Sequence, residues 1–150
     1  MKKAVLFSIL ISITGWAAAQ MKNPVSWDFS ATKKSDKVYE ITATASMAGD
    51  WHIYSQTTPK GGPVPTKFTF KANPLIVMSG IPAEKGQLKN VHDPVFGVDV
   101  KYFGNKVAFV QTVQLKSKVK TQLTGEVEYM VCDDTQCLPP KKVPFEIKLQ

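Results

Sequence analysis

The sequence predicts an all-β protein, an immunoglobulin-like antiparallel β-sandwich. Eight or nine short segments alternate apolar and polar side chains, which is the period of a strand that buries one face. Glycine and proline residues separate these segments, and no segment has a convincing helical period. Many short strands joined by frequent turns are typical of two packed antiparallel sheets.

The first half of the chain contains the clearest strands. In residues 23–33, Val25, Trp27 and Phe29 alternate with polar residues, and residues 38–47 alternate along their whole length. Residues 57–65 contain three prolines and two glycines and therefore predict a loop. Shorter strands are expected at residues 51–54, 66–70 and 75–78.

The second half continues the pattern after a polar interruption. Residues 84–93 are polar and are expected to be irregular. Further strands are expected at residues 98–103, 106–115, 125–132 and 142–149. Gly104-Asn105 predicts a tight turn between the first two of these. The alternating aromatic side chains are expected in the core rather than at a ligand site, namely Trp27, Phe68, Phe70, Phe109, Tyr129 and Phe145.

The first 19 residues have the pattern of a secretory signal peptide. Lys2 and Lys3 precede an apolar run, and small residues offer a cleavage site near Ala19 or Gln20. No later run is long and apolar enough to cross a bilayer. We therefore expect one exported domain, residues 20–150, that is not inserted in a membrane after cleavage.

The composition argues against nucleic-acid recognition. The formal net charge is +7, but all 19 basic residues are lysines, spread singly along the chain. Lysine cannot make the two-pronged contacts to phosphates and bases that arginine makes. No Ser-His-Asp set, phosphate-binding glycine loop or paired carboxylates stand out, so hydrolase and nucleotide-binding functions have no support.

The two cysteines, Cys132 and Cys137, lie at the junction of the last two strands. Two cysteines in an exported protein normally pair, either as a structural bridge or as a working redox centre. A bridge across so short a loop adds only roughly 2 kcal/mol of stability, which mildly favours a chemical role. Alternation places Tyr129 and Val131 in the core, so Cys132 is expected on the more exposed face of the strand.

Charge distinguishes the two cysteines. Asp133 and Asp134 adjoin Cys132 and disfavour its thiolate, whereas Cys137 is nearer to Lys141 and Lys142. On charge alone, Cys137 is expected to be the better attacking thiol. The prolines at 139 and 140 remove two backbone donors, so regular strand pairing is expected to pause there.

Three stretches resemble the N-terminal periplasmic domain of the thiol:disulfide interchange protein DsbD: residues 127–140, 51–54 and 93–97. The resemblance implies an immunoglobulin-like domain in the periplasm that passes electrons through a redox disulfide. It implies thioredoxin-like partners, among them disulfide isomerases and the thioredoxins of cytochrome c maturation. Because the membrane domain is absent from this chain, the electron donor is expected to be a separate membrane protein.

The resemblance also implies roles for particular residues. Cys132 and Cys137 match the redox pair, whose second cysteine forms the mixed disulfide with partners. The positions of His52 and Tyr54 carry tyrosines beside the disulfide in the family. Residues 93–97 match a cap loop whose aromatic ring shields the disulfide, so Asp93, Val95, Phe96 and Gly97 are cap residues. Either Val95 or Phe96 covers the sulfurs. The loop between the cysteines is one residue shorter than in the best-known members.

Two alternatives remain from the residues themselves. One is a non-enzymatic binding module in which the bridge is structural. The other is a metal carrier that uses the cysteines with His52 or His92, although the spacing matches no standard metal motif. His52 could also be a packed strand residue, or it could tune the thiols or relay a proton. No metal or other cofactor is expected.

Overall fold

The computed structural model describes residues 23–94 and 96–150, and this part of the chain is built from nine strands without a helix. The predicted signal peptide and its cleavage site lie outside the described residues. No helix that could cross a membrane occurs in residues 23–94 and 96–150. The strands are β1 (Val25–Lys33), β2 (Val38–Met47), β3 (His52–Tyr54), β4 (Lys67–Phe70), β5 (Ile76–Val77), β6 (Ala83–Asp93), β7 (Val98–Leu115), β8 (Thr121–Cys132) and β9 (Cys137–Leu149).

All strand pairs are antiparallel, and β7 and β8 carry most of the pairing. Along one edge, β7 pairs first with β3 and then with β2, which in turn pairs with β1. Its other edge pairs with β6 and β5. In the same way, β8 pairs with β3 and β4 on one edge and with β9 on the other. The prediction of an all-β antiparallel protein is confirmed.

The predicted hairpin at Gly104-Asn105 is wrong, because β7 continues through these residues. Asn105 has a φ of 57°, the left-handed conformation that asparagine tolerates better than most residues. At this point β7 changes partner: Gly104 is opposite His52 of β3, and Lys106 is opposite Ser46 of β2. The left-handed residue therefore bends one strand between two partners instead of reversing the chain.

The expectation that residues 84–93 are irregular is also wrong. They belong to β6, which pairs with β7 from Ala83 to Asp93 with one register shift between Gly86 and Leu88. Most side chains of β6 are exposed, so neither of its faces shows an apolar period. Strand pairing with β7, and not burial, organises this segment.

The core lies between the sheet faces and contains the residues that alternation selected. In β2 one face is buried, from Tyr39 to Met47, as expected. The predicted core aromatics Phe109, Tyr129 and Phe145 are buried, and Trp27, Phe68 and Phe70 are partly buried against them. Full burial of each large apolar side chain stabilises the fold by roughly 1.5–3 kcal/mol.

The final hairpin holds β8 against β9 from Thr121↔Leu149 to Cys132↔Cys137. Its register shifts between Tyr129, opposite Lys141, and Val131, opposite Leu138. Pro139 and Pro140 fall in this gap, so the predicted pause in pairing is confirmed.

Deep in the same hairpin, Gly125 allows β8 to approach its neighbours closely. A Cβ atom there would lie 2.5 Å from the Thr69 carbonyl oxygen and 2.7 Å from Cζ of Phe145.

Candidate functional site

The disulfide between Cys132 and Cys137 forms the last pair of the β8–β9 hairpin, with the two Cα atoms 4.1 Å apart. Both cysteines line a cleft of about 490 Å³. Its walls are the end of β6 with the cap segment that follows it (the described residues of 93–97) and the loop between the cysteines. The faces of β3 and β7 that point away from the core complete the walls. The cleft therefore brings together His52, Tyr54, Asp93, Phe96, Cys132 and Cys137.

The expectation that Cys132 lies on an exposed face is wrong, because its relative exposure is only 2%. The core-facing assignment of Tyr129 and Val131 is confirmed. On the opposite face, however, side chains of β3 and β7 pack beside the end of β8. An outer cluster results, made of Tyr54, Val100 and Cys132 with Val98, Tyr102 and Met130 packed against them.

Cys137, in contrast, is exposed at the start of β9. The two lysines beside it form other contacts: Lys141 donates to the Asn23 side chain at 3.0 Å, and Lys142 pairs with Glu126 at 3.1 Å. Accessibility, more than a neighbouring cation, therefore distinguishes Cys137 from Cys132. Exchange rates depend on access, so Cys137 is the better placed of the two residues to meet an incoming thiolate.

Asp133 shapes the loop between the cysteines. Its carboxylate accepts hydrogen bonds from the backbone N–H groups of Thr135 and Gln136, both at 2.9 Å, and from the Thr135 hydroxyl at 2.7 Å. The Asp133 N–H in turn donates to the Gln136 carbonyl at 2.9 Å. The Thr135 side chain and backbone, followed by those of Gln136, lower the pKa of Asp133 to about 2. The ionised side chain thus holds the loop in one conformation.

His52 and Tyr54 project from β3 into the cleft. The Nε2 atom of His52 lies 3.4 Å from the Tyr54 hydroxyl, and the His52 ring centroid lies 4.3 Å from that of Tyr102. Burial lowers the pKa of His52, although the Asp50 backbone and nearby carboxylates partly oppose this effect. Burial, with the charge of Asp93, raises the pKa of Tyr54 to about 12, so its phenol stays protonated.

The cap segment turns tightly between β6 and β7. The carboxylate of Asp93 accepts the Phe96 N–H at 3.2 Å, and its carbonyl accepts the Gly97 N–H at 2.8 Å. Gly97 has a φ of 67°, which favours glycine at this position. Phe96 is half-buried and lines the cleft, whereas Val95 lies outside the described residues.

His92 also lines the cleft, but it lies on the exposed rim and pairs with Asp99 at 2.9 Å. Within the described ranges, no group of three or more His, Cys, Asp or Glu side chains is arranged to hold a metal ion.

Sequence reasoning missed the contribution of β7 to the site. Tyr102 lies opposite Tyr54, and Val100 packs with Cys132 in the outer cluster. Alternation in β7 shows that Val100 and Tyr102 share a face. It does not show that β3 and β8 contribute side chains to the same face of the sheet.

Fold and site together define a β-sandwich domain with a disulfide open to a surface cleft. Residues 18–148 match the family described as thiol:disulfide interchange protein DsbD, N-terminal, and the chain belongs to this family. The family resemblance expected from the sequence is confirmed. A comparison with curated protein sequences gives no match.

Several solved structures share the fold of this chain. The N-terminal domain of DsbD from Neisseria meningitidis, in its reduced form, is 16% identical with a TM-score of 0.52, over 79% of this chain and 82% of that chain. The same domain in complex with the N-terminal domain of PilB is 15% identical with a TM-score of 0.52, over 81% and 80%. The N-terminal periplasmic domain of ScsB from Proteus mirabilis is 16% identical with a TM-score of 0.54, over 91% of this chain and 50% of that chain. DsbD N-terminal domains have an immunoglobulin-like fold, so the predicted fold class is confirmed.

Proposed function

We propose that this protein is a periplasmic thiol–disulfide exchange module that passes electrons between thioredoxin-like partners through Cys132 and Cys137. The observation that carries the proposal is the asymmetry of the disulfide. Cys137 is exposed in a cleft, and Cys132 is buried behind it. A bridge that only stabilised the hairpin would gain nothing from an accessible sulfur in a cleft large enough to admit side chains of a partner.

The exchange proceeds in two steps in each direction. In the first direction, a thiolate of a reduced partner attacks the sulfur of Cys137. The Cys132–Cys137 bond breaks, and Cys132 takes up the electron pair and a proton. The second thiol of the partner then attacks the mixed disulfide, so the partner leaves oxidised and this protein holds two thiols. In the opposite direction, Cys137 attacks an oxidised acceptor, and Cys132 resolves the mixed disulfide.

The cap segment limits this chemistry to docked partners. Phe96 lines the cleft beside the cysteines, in a turn that Asp93 and Gly97 close through hydrogen bonds. The aromatic ring hinders small disulfides, and a docking partner displaces the turn. Of the two candidate shielding residues, Phe96 is the one that we assign to this role.

The partners follow from the family. A DsbD N-terminal domain has been solved in complex with the N-terminal domain of PilB, which supports thioredoxin-like protein partners for this chain. We propose that they dock at the cysteine cleft. We propose that the electron donor is a separate membrane protein and that the acceptors include periplasmic thioredoxins, such as those of cytochrome c maturation. A signal peptide of residues 1–19 would deliver the chain to that compartment.

The reduction potential of residues 20–150 tests the proposal. The protein is equilibrated in graded dithiothreitol buffers, and the free thiols are counted by a gel shift after alkylation. A potential of roughly −120 to −270 mV is expected, because working exchangers lie in this range. A potential below about −300 mV would describe a bridge that resists reduction, and the structural bridge of a binding module would then be the better interpretation.

A further inference from the structure

His52 of β3 and Cys132 of β8 lie directly opposite each other in the sheet. Directly opposed residues of antiparallel strands project from the same face, with their Cβ atoms about 4.5–5.5 Å apart. Cys137 is the next residue across, opposite Cys132 on β9. One row of side chains therefore runs His52, Cys132, Cys137 across three strands, and all three line the same cleft.

Cys132 needs a base when it resolves a mixed disulfide. The attacking species is the thiolate, yet Cys132 is 2% exposed and packs against Tyr54 and Val100. Burial among apolar side chains disfavours a thiolate, and the negative charge of nearby carboxylates disfavours it as well. No lysine occurs among the described residues that line the cleft. A cation therefore does not offset the cost of ionising this thiol within the cleft wall.

The surroundings of His52 suit a base. An interaction with the Asp50 backbone raises the pKa of His52 against the larger effect of burial. A neutral imidazole has one donor and one acceptor nitrogen, so donation to that backbone would leave the other nitrogen as an acceptor. The Tyr54 hydroxyl is 3.4 Å from Nε2, longer than a normal hydrogen bond, so it does not saturate that nitrogen. Because burial lowers the pKa of His52, the imidazole is neutral near pH 7 and free to take a proton.

Several other titratable groups surround His52. On the strands beside it these groups are Tyr54 of β3, Tyr102 of β7 and Cys132 of β8. On the rim of the cleft and in the loops beside it they are His92, Asp93, Asp133 and Asp134. The three carboxylates raise the pKa of His52 slightly against the larger effect of burial. They also stabilise the imidazolium that forms when the ring accepts a proton.

We propose that His52 is the general base of the resolving step, accepting the thiol proton of Cys132 as this sulfur attacks Cys137. The inference rests on the proposed function. The S–H bond of Cys132 breaks and its proton passes to the imidazole. The Cys132 sulfur forms a bond to the Cys137 sulfur, and the mixed disulfide breaks. The partner leaves as a thiolate and takes the electron pair, and the imidazolium then returns its proton to that thiolate or to water.

Stopped-flow reaction of the reduced protein with stoichiometric 5,5′-dithiobis(2-nitrobenzoic acid) separates the two steps. Attack by Cys137 releases the first thionitrobenzoate, and resolution by Cys132 releases the second. In His52→Gln the first phase is expected to keep its rate. The second phase should slow roughly a hundredfold, at the lower end of general-base contributions. A second variant, His52→Tyr, retains an aromatic ring but has no base that works near neutral pH, and it should show the same loss.

His92→Gln is the matched control, because His92 lines the same cleft but pairs with Asp99 on its rim. It should leave both phases unchanged. The pH profile of the second phase provides a readout that packing alone would not change. The wild-type rate should fall as His52 becomes protonated below pH 6.5, and both His52 variants should lack this inflection.

The outcomes distinguish the two proposals. If both His52 variants resolve the mixed disulfide at the wild-type rate and with the wild-type pH profile, His52 is not the base, although exchange itself stands. If neither the reduced wild-type protein nor reduced Phe96→Ala, in which the shielding ring is removed, releases thionitrobenzoate, the exchange function fails and the role of His52 fails with it.

Discussion

Cys132 and Cys137 share one disulfide but differ in access to solvent: Cys132 is 2% exposed, whereas Cys137 is exposed at the start of β9. Cys132 clusters with buried side chains of β3 and β7, whereas β9 begins at the rim of the cleft. Thiol–disulfide exchange requires in-line access to the sulfur under attack. In the exchange that we propose, the two cysteines therefore take different steps.

The two single-cysteine variants should differ in the products they form. Cys132→Ser retains the accessible thiol and lacks the resolving one. Its reaction with glutathione disulfide should therefore accumulate a stable mixed disulfide between Cys137 and glutathione. Cys137→Ser retains only the buried thiol and should form little adduct and transfer no electrons. Intact mass spectrometry after a timed reaction measures both adducts. Equal adduct formation, or wild-type electron transfer by Cys137→Ser, would contradict the assignment.

Removing the ring of Phe96 should open the cleft to small disulfides. Phe96 is half-buried and lines the cleft with both cysteines. In the reduced Phe96→Ala protein, oxidation by glutathione disulfide should accelerate several-fold, while the reduction potential stays constant because the ring forms no bond to sulfur. Leu88→Ala, on the exposed face of β6, is the control. An unchanged rate in Phe96→Ala would remove the shielding role.

Asp133→Ala should make the disulfide easier to reduce. The Asp133 carboxylate holds the loop that keeps the two sulfurs together, and its negative charge disfavours the thiolates. Loss of both effects should raise the reduction potential by roughly 30 mV, which corresponds to a tenfold change in the thiol–disulfide equilibrium.

Asp134→Ala is the control for Asp133, because it removes a neighbouring exposed charge and leaves the Asp133 hydrogen bonds in place. It should raise the potential by less. If the two variants shift the potential equally, the hydrogen bonds of Asp133 do not contribute.

The close approach at Gly125 predicts a loss of stability that is independent of the redox site. The methyl group of Gly125→Ala would collide with the Thr69 carbonyl oxygen and the Phe145 ring, so destabilisation of about 1–3 kcal/mol is expected. Gly104→Ala is the control, since its Cβ would meet no atom within 4 Å. Urea unfolding of the oxidised proteins measures both, and equal midpoints for the two variants would refute the expected clash.

The stability of the oxidised protein should decrease in mildly acidic solution because of His52. Its folded pKa lies below the ordinary value of 6.5, so the unfolded chain binds more protons between these two values. Stability from this group is therefore complete above pH 6.5 and is lost as the pH falls through the folded pKa. Thermal unfolding at pH 5 to 7 should show a flatter dependence of the unfolding midpoint on pH for His52→Gln than for wild type.

The loss of stability from Asp133 falls in a lower pH window, between pH 3.8 and about 2.

Local patterns predicted the strands that bury one face, and failed where burial does not shape the sequence. Alternation identified β2 and the core face of β8 correctly. The strand β6 was missed because both of its faces are largely exposed. At Gly104-Asn105, a turn dipeptide occurs inside a strand, because the bend transfers β7 from β3 to β2. Such a change of partner depends on residues some 50 positions away in the sequence.

In the candidate site, too, local sequence patterns predicted some features and missed those that depend on distant strands. The cysteine pairing, the pause at the two prolines and the closeness of His52 to Tyr54 could be anticipated from short segments. The burial of Cys132 could not, because the residues that cluster with it, Tyr54 and Val100, lie on β3 and β7. Whether a strand end is exposed depends on what packs across it, and alternation within the strand carries no information about that neighbour.

The position of the disulfide at the outermost pair of the β8–β9 hairpin separates the chemistry of the protein from its scaffold. Below the proline gap, the hairpin is held by continuous pairing from Thr121↔Leu149 to Tyr129↔Lys141. The bridge lies above that gap, where Val131 and Cys132 also pair with β3. If the bridge exchanges electrons as we propose, substitutions in the four residues between the cysteines can change its chemistry during evolution while the pairing below the gap is kept.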